Sequence, residues 1–272
     1  MRDFARQKRW REAAALAQDL TVRSPSDPTP WYWLGVARLQ LQDGLGAVQA
    51  FRSAERLGLD TSLLHEGLGL AYYNLNQFYL FEQQMEKASK QDSHDAMPYF
   101  YLGNYREIVK SDFKVALEFF DQAVRLRPED ARSLYHQGNC LEQMQRPQRA
   151  RECYIEAIRV VEKSNEAFGW PYQGMARLML EERPSEALHW AQRAVEVEPK
   201  EYSHYVLLAK VLQRLGRLPE ALREAQTAAE LNPASSTARY ALFKLYREAG
   251  DQKASQAELE MFQKLKTIYG PE

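Results

Sequence analysis

The stretch 201–234, EYSHYVLLAKVLQRLGRLPEALREAQTAAELNPA, decides how the rest of the chain is read. Leu207, Leu208, Val211 and Leu212 recur at the spacing of one helical face. Gly216 then stops the first helix, because glycine enters the left-handed conformation of a helix end without steric cost. Ala221, Leu222, Ala225 and Ala228 carry a second helix, and Pro233 closes it, since proline has no amide proton to continue the ladder. Two helices this short, folded back on each other, cannot bury their apolar faces alone. They must stack on copies of themselves.

The copies are present. With Ala221 as a ruler, the equivalent positions are Ala13, Ala47, Phe81, Ala116, Ala150, Ala187 and Ser255, separated along the chain by 34, 34, 35, 34, 37, 34 and 34 residues. A second ruler seven residues later reads Leu20, Ala54, Ala88, Ala123, Ala157, Ala194, Ala228 and Phe262, with the same steps. Small residues at these places let helix backbones approach, and a large side chain there overpacks at a cost of about 1–3 kcal/mol. Phe81, Phe262 and Ser255 depart from the rule, so wider contacts are expected in the third and last repeats.

A period near 34 with small residues at these positions resembles the tetratricopeptide repeat. Trp31, Leu34 and Gly35 match that family's W-x-x-L-G opening, as do Tyr99, Leu102 and Gly103 with tyrosine in the first place. Leu68 with Gly69, Gly138, and Trp170 with Gly174 carry it in part, and the closing proline recurs as Pro25, Pro128, Pro199 and Pro233. The resemblance implies an all-α fold, a right-handed superhelical solenoid of stacked antiparallel helix pairs. The repeats are expected at 1–27 (partial), 28–60, 61–93, 94–128, 129–163, 164–200, 201–234 and 235–268, the last ending in a charged capping helix.

Irregularities have definite places. Aligned by Ala13, Met1 falls where a first-helix glycine belongs, so half of the first helix is missing. Two readings stand: a frayed terminal repeat, or the downstream part of a longer protein. Repeat four carries one extra residue near Lys110–Asp112. Repeat five lacks its closing proline, so its second helix is expected to run on to Lys163, with a candidate hinge near Ser164–Pro171. The tail 269–272 is expected to be disordered.

Composition excludes several function classes. The 272 residues are 45% hydrophobic, ample for a core, and the net charge of −1 offers no electrostatic case for nucleic acid or an anionic membrane. Two cysteines argue against a disulfide framework. No apolar run approaches the length of a membrane span, and MRDFARQKRW has no signal-peptide core, so a cytoplasmic protein is expected. The five histidines (His65, His94, His136, His189 and His204) form no zinc spacing and read as surface or interhelix residues. Cys140 and Cys153 sit on the two facing helices of repeat five and read as small apolar packing residues. There is no phosphate loop, no nucleophile elbow and no acid–base pair. No catalytic, metal or cofactor residues are therefore assigned, and no cofactor is expected.

What the resemblance implies about function is a concave wall, lined by the first helix of each pair, that holds a partner polypeptide. Carried over by register, the second and third repeats offer Tyr32, Tyr73 and Asn74, the fourth Phe100 and Asn104, and the fifth Tyr135 and Asn139. Met175 lines the sixth, Lys210 and Arg214 the seventh, and Tyr240 and Lys244 the last. The early positions are aromatic and the late ones basic, which suits a hydrophobic segment with an acidic or C-terminal carboxylate end. Self-association is a further expectation. The rival reading is a regulatory or substrate-presenting segment of a longer enzyme, such as a glycosyltransferase or kinase.

Overall fold

Two short signals open the helices. Asp27, Asp43, Thr61, Asp112, Asp130 and Ser235 each accept a hydrogen bond from a backbone amide in the first turn, Asp43 from Gly46 at 2.9 Å. Where Arg146, Arg183 and Arg217 precede a helix without such a bond, proline occupies one of the first two helical positions, where its missing amide costs nothing. The computed structural model describes residues 2–269; the last three residues of the expected disordered tail lie outside them, and Tyr269 closes a helix.

The helices come in successive pairs. They are α1 (Arg2–Arg6) with α2 (Trp10–Arg23), α3 (Pro28–Gln40) with α4 (Gly44–Arg56), α5 (Ser62–Asn74) with α6 (Phe78–Gln91), and α7 (Met97–Ile108) with α8 (Phe113–Leu126). There follow α9 (Ala131–Gln143) with α10 (Pro147–Ser164), α11 (Trp170–Met179) with α12 (Pro184–Val197), α13 (Tyr202–Arg214) with α14 (Leu218–Leu231), and α15 (Ser236–Glu248) with α16 (Gln252–Tyr269). No strand occurs among the described residues. The fold is all-α, a tetratricopeptide-type stack of helix pairs that divides between Arg127 and Pro128 into two compact units.

One turn joins most pairs. A single residue in left-handed conformation (Gln42, Asn76, Gln145, Gly216 or Gly250, with Lys8 between α1 and α2) reverses the chain. The amide after it then donates back five residues, as Arg217 does to the Leu212 carbonyl at 2.9 Å. In the α7–α8 turn the left-handed residue is Ser111, and Asp112 reaches back six residues to Arg106 at 2.8 Å. That is where the extra residue of repeat four is absorbed. Helix α10 runs to Ser164, one residue past the expected end, and Asn165 turns the chain left-handed (φ 53°) into the segment before α11.

The unit before Arg127 is filled by rings. Phe51 of α4, fully buried, lies between α3 and α5, where a Cβ on Gly35 or Gly67 would come within 2.6 Å of it. Those two glycines admit the ring. Phe81, at the position expected to be small, is buried edge-on between Tyr73 and Tyr105, each 5.3 Å away. In the unit after Pro128, Tyr154 of α10 repeats the clamp between Gly138 and Gly174. Beyond it the crossings are made by alanine: Ala187, Ala191, Ala194, Ala221, Ala225 and Ala228 are all fully buried. Ser255, the other departure, is buried and donates to the Phe243 carbonyl at 3.3 Å.

Candidate functional site

The first helices of the pairs carry the residues expected to line a binding wall. In the unit before Arg127, Tyr32 is half-buried, its ring 5.7 Å from Trp33 and 5.9 Å from Phe51. Burial, with the nearby Glu66 carboxylate second, raises the Tyr32 hydroxyl above its usual range. Tyr73 and Phe100 are half-buried, one ring against Phe78 and Phe81 and the other against Tyr101 and Phe120. Asn74 is exposed and Asn104 half-buried. Half-exposed rings with amide side chains near them are suited to an extended peptide, which needs apolar anchors and backbone partners together.

Glu66 belongs to this wall and sequence reasoning passed over it, although one 34-residue step from Tyr32 lands on it. Ser62 Oγ donates to Glu66 Oε1 at 3.3 Å. Its carboxyl is pushed up to about 7, first by burial and then by hydrogen bonding to the Asp95 carboxylate. A protonated Glu66 donates to Asp95; an ionised one faces it as a like charge.

After Pro128 two expected lining residues prove to be internal. Tyr135 is only 7% exposed, stacked on Tyr154 at 5.9 Å and met edge-on by Phe168 from the segment before α11. Met175 is fully buried. Neither presents surface to a ligand; the ring hole made by Gly138 and Gly174 draws the packing inward. The group that sequence reasoning missed here is Arg177 of α11. It donates to both Glu142 oxygens, at 2.6 and 2.8 Å, to Asn139 Oδ1 at 2.9 Å, and to the Tyr154 hydroxyl at 3.2 Å. Tyr154 in turn donates to Glu142 at 2.8 Å. Burial and the neighbouring Glu142 both push the Tyr154 hydroxyl up, with burial the larger cause. Asn139 is thus tied into a structural network. Its signal in the sequence was a cation on α11 opposite Glu142 on α9.

Further along, Lys210, Gln213 and Arg214 of α13 share a cavity of about 290 Å³ with Leu180, Glu181 and Glu248. Arg214 pairs with Glu181 at 3.3 Å, and Gln213 donates to Glu248. The expected basic end is therefore mixed in charge. Lys210 is exposed, Tyr240 is 44% exposed beside Phe262 at 5.1 Å, and the Lys244 ammonium sits 5.9 Å from the Tyr240 ring centre. His65 and His204 are buried between helices, each bonded to a glutamine and an acid; burial lowers the His204 imidazole below its usual value. Among the described residues no three His, Cys, Asp or Glu side chains are grouped to hold a metal ion, and no helix is long and apolar enough to cross a membrane.

The tetratricopeptide repeat family model matches residues 2–60, 105–167, 177–236 and 206–262, so the chain belongs to that family. It is similar to human Protein O-mannosyl-transferase TMTC3, 23% identical over 98% of this chain and 30% of that protein. It is similar to human Superkiller complex protein 3, 22% identical over 96% of this chain and 17% of that protein. Among solved structures, yeast Tom70 superposes with a TM-score of 0.69 at 19% identity, covering 94% of this chain and 55% of Tom70. The chain thus spans under a third of the length of these two relatives.

Proposed function

We propose that this chain is a non-enzymatic scaffold that holds a partner polypeptide against the first-helix wall. The observation that carries the reading is the run of half-exposed Tyr32, Tyr73 and Phe100 beside the amides Asn74 and Asn104. The partner segment it suits is apolar and extended, anchored by its side chains on the rings and by its backbone on the asparagines. Lys210, Arg214, Tyr240 and Lys244 suit an acidic or C-terminal carboxylate end, though Glu181 and Glu248 narrow that fit. Selection from a displayed peptide library tests this. Apolar peptides are expected to be enriched by the wild type and lost with a Tyr73→Ala, Asn104→Ala variant whose circular dichroism is unchanged. Equal enrichment by both would remove the wall from the site.

A second reading has one observation in its favour: nearly all of this chain aligns within 30% of an O-mannosyl-transferase. On that reading the repeats present substrate or regulate a catalytic part of a longer polypeptide. The mass of the native polypeptide in its source cells decides between them.

A further inference from the structure

Another concavity lies where α2, α3 and α4 meet. Gln18 of α2, Trp31 and Arg38 of α3, and one side of α4 line an open hollow of about 860 Å³. Its apolar surface comes from the half-buried Trp31 and Val48. The Trp31 Nε1 atom is buried and has no hydrogen-bond partner. An indole N–H can only donate, so the ring at the edge of this hollow carries an unmet donor that is closed to solvent.

The polar lining holds more cations than carboxylates. Three arginines, Arg38, Arg52 and Arg56, stand against one glutamate, Glu55. Arg52 holds Glu55 at 2.5 Å and the Tyr72 hydroxyl at 3.0 Å. Arg38 spends its donors on the Gly46 carbonyl and Gln18 Oε1, both at 3.2 Å, and its charge is paired with Asp43 at 3.9 Å. Arg56 is exposed, donates to Ser53 Oγ at 3.0 Å, and pairs with no carboxylate among the described residues. A hollow lined by more guanidinium groups than carboxylates, one guanidinium being without a carboxylate partner among the described residues, is complementary to an acidic ligand.

Spacing narrows the ligand further. Arg52 and Arg56 stand one turn apart on α4, a rise of about 6 Å. Alternate side chains of an extended chain repeat at about 6.7 Å. A single compact anion would need cations that converge on a point, whereas these are strung along a helix beside apolar surface. We infer that this cavity docks an extended acidic segment of a partner polypeptide, with carboxylates at two alternate positions and an apolar side chain at the next. The carboxylates meet Arg56 and the edge of Arg52, and the apolar side chain covers Val48 and the half-buried Trp31 ring.

The test uses the full chain labelled with ¹⁵N and the acetylated, amidated peptide Glu-Ser-Glu-Ser-Leu. The Trp31 indole resonance, assigned through Trp31→Phe, is expected to move on titration. The glutamine version of the peptide leaves it in place. Arg56→Glu weakens binding about tenfold or more, as loss and reversal of one charge-assisted contact requires. Asn104→Ala, on the first-helix wall, leaves the titration unchanged, so this site stands or falls separately from the proposed function. An unmoved indole at millimolar peptide overturns the proposal. So does an equal response to the glutamine peptide, an equal shift with inorganic phosphate alone, or undiminished binding by Arg56→Glu.

Discussion

In the unit before Arg127 the helix crossings are filled by Phe51, Phe81 and Phe120; beyond Tyr154, in the unit after Pro128, corresponding register positions hold Ala187, Ala191, Ala221 and Ala225. All are buried, so both materials close the stack. The difference lies in what each demands. A ring contributes far more apolar area but needs room made for it, by glycines facing it as Gly35 and Gly67 face Phe51, or by flanking rings as Tyr73 and Tyr105 flank Phe81. Alanine needs no such partner and leaves little to lose. The wall chemistry differs in parallel. Glu142 is met by the Arg177 guanidinium, whereas Glu66 is met by Asp95.

That comparison is open to attack by substitution. Phe51→Ala should cost the largest amount, about 3–5 kcal/mol, since it empties a site walled by three helices. Ala225→Gly should cost only about 1 kcal/mol. Urea unfolding measures both, and equal costs would abolish the distinction between ring-filled and alanine-filled crossings. Gly174→Ala should cost about 1–3 kcal/mol, because the new Cβ falls 2.7 Å from a Tyr154 ring whose hydroxyl is held by Glu142. A loss of similar size, about 1–3 kcal/mol, is expected for Arg177→Met, which leaves Glu142 without its donor fork. Adding Glu142→Gln should recover most of it, and a double-mutant cycle that finds no coupling would demote the network.

The smallest expected effect is one of pH. Glu66 is protonated more readily in the fold than in the unfolded chain, whose ordinary value is 4.5, because burial and Asp95 favour the neutral acid, with Ser62, Asp92 and Tyr32 also near. The stability it contributes is present in full below the ordinary value and is lost as pH rises through about 7. Melting temperature should therefore fall between pH 5 and pH 8, by a few degrees on the order expected for a chain of this size. Glu66→Gln should flatten that slope; a slope unchanged in the variant would place the titration elsewhere.

Much of the fold was legible from local chemistry. The left-handed Gly216, the extra residue at Lys110–Asp112 and the overrun of α10 follow from helix stops and spacing, which act over a few residues. The wall was legible only in part. Register placed Tyr32, Tyr73, Asn74, Phe100 and Asn104 on first helices, and those side chains keep exposed surface. It placed Tyr135 and Met175 there too, but Tyr154 opposite Gly138 and Gly174, with Phe168 alongside, draws Tyr135 inward, and Met175 is buried. Arg177 was missed because its partners stand 23 to 38 residues away in the chain.

By itself the sequence determined the repeat and the helix pair, because periodicity and backbone stops are written in consecutive residues. Only the tertiary structure decided which side chains of a repeated register face solvent, which pair with charges, and that Trp31 keeps a buried donor unmet. Those outcomes depend on the volumes and charges that neighbouring repeats bring to the same point, and the 34-residue ruler counts positions without weighing what stands opposite them.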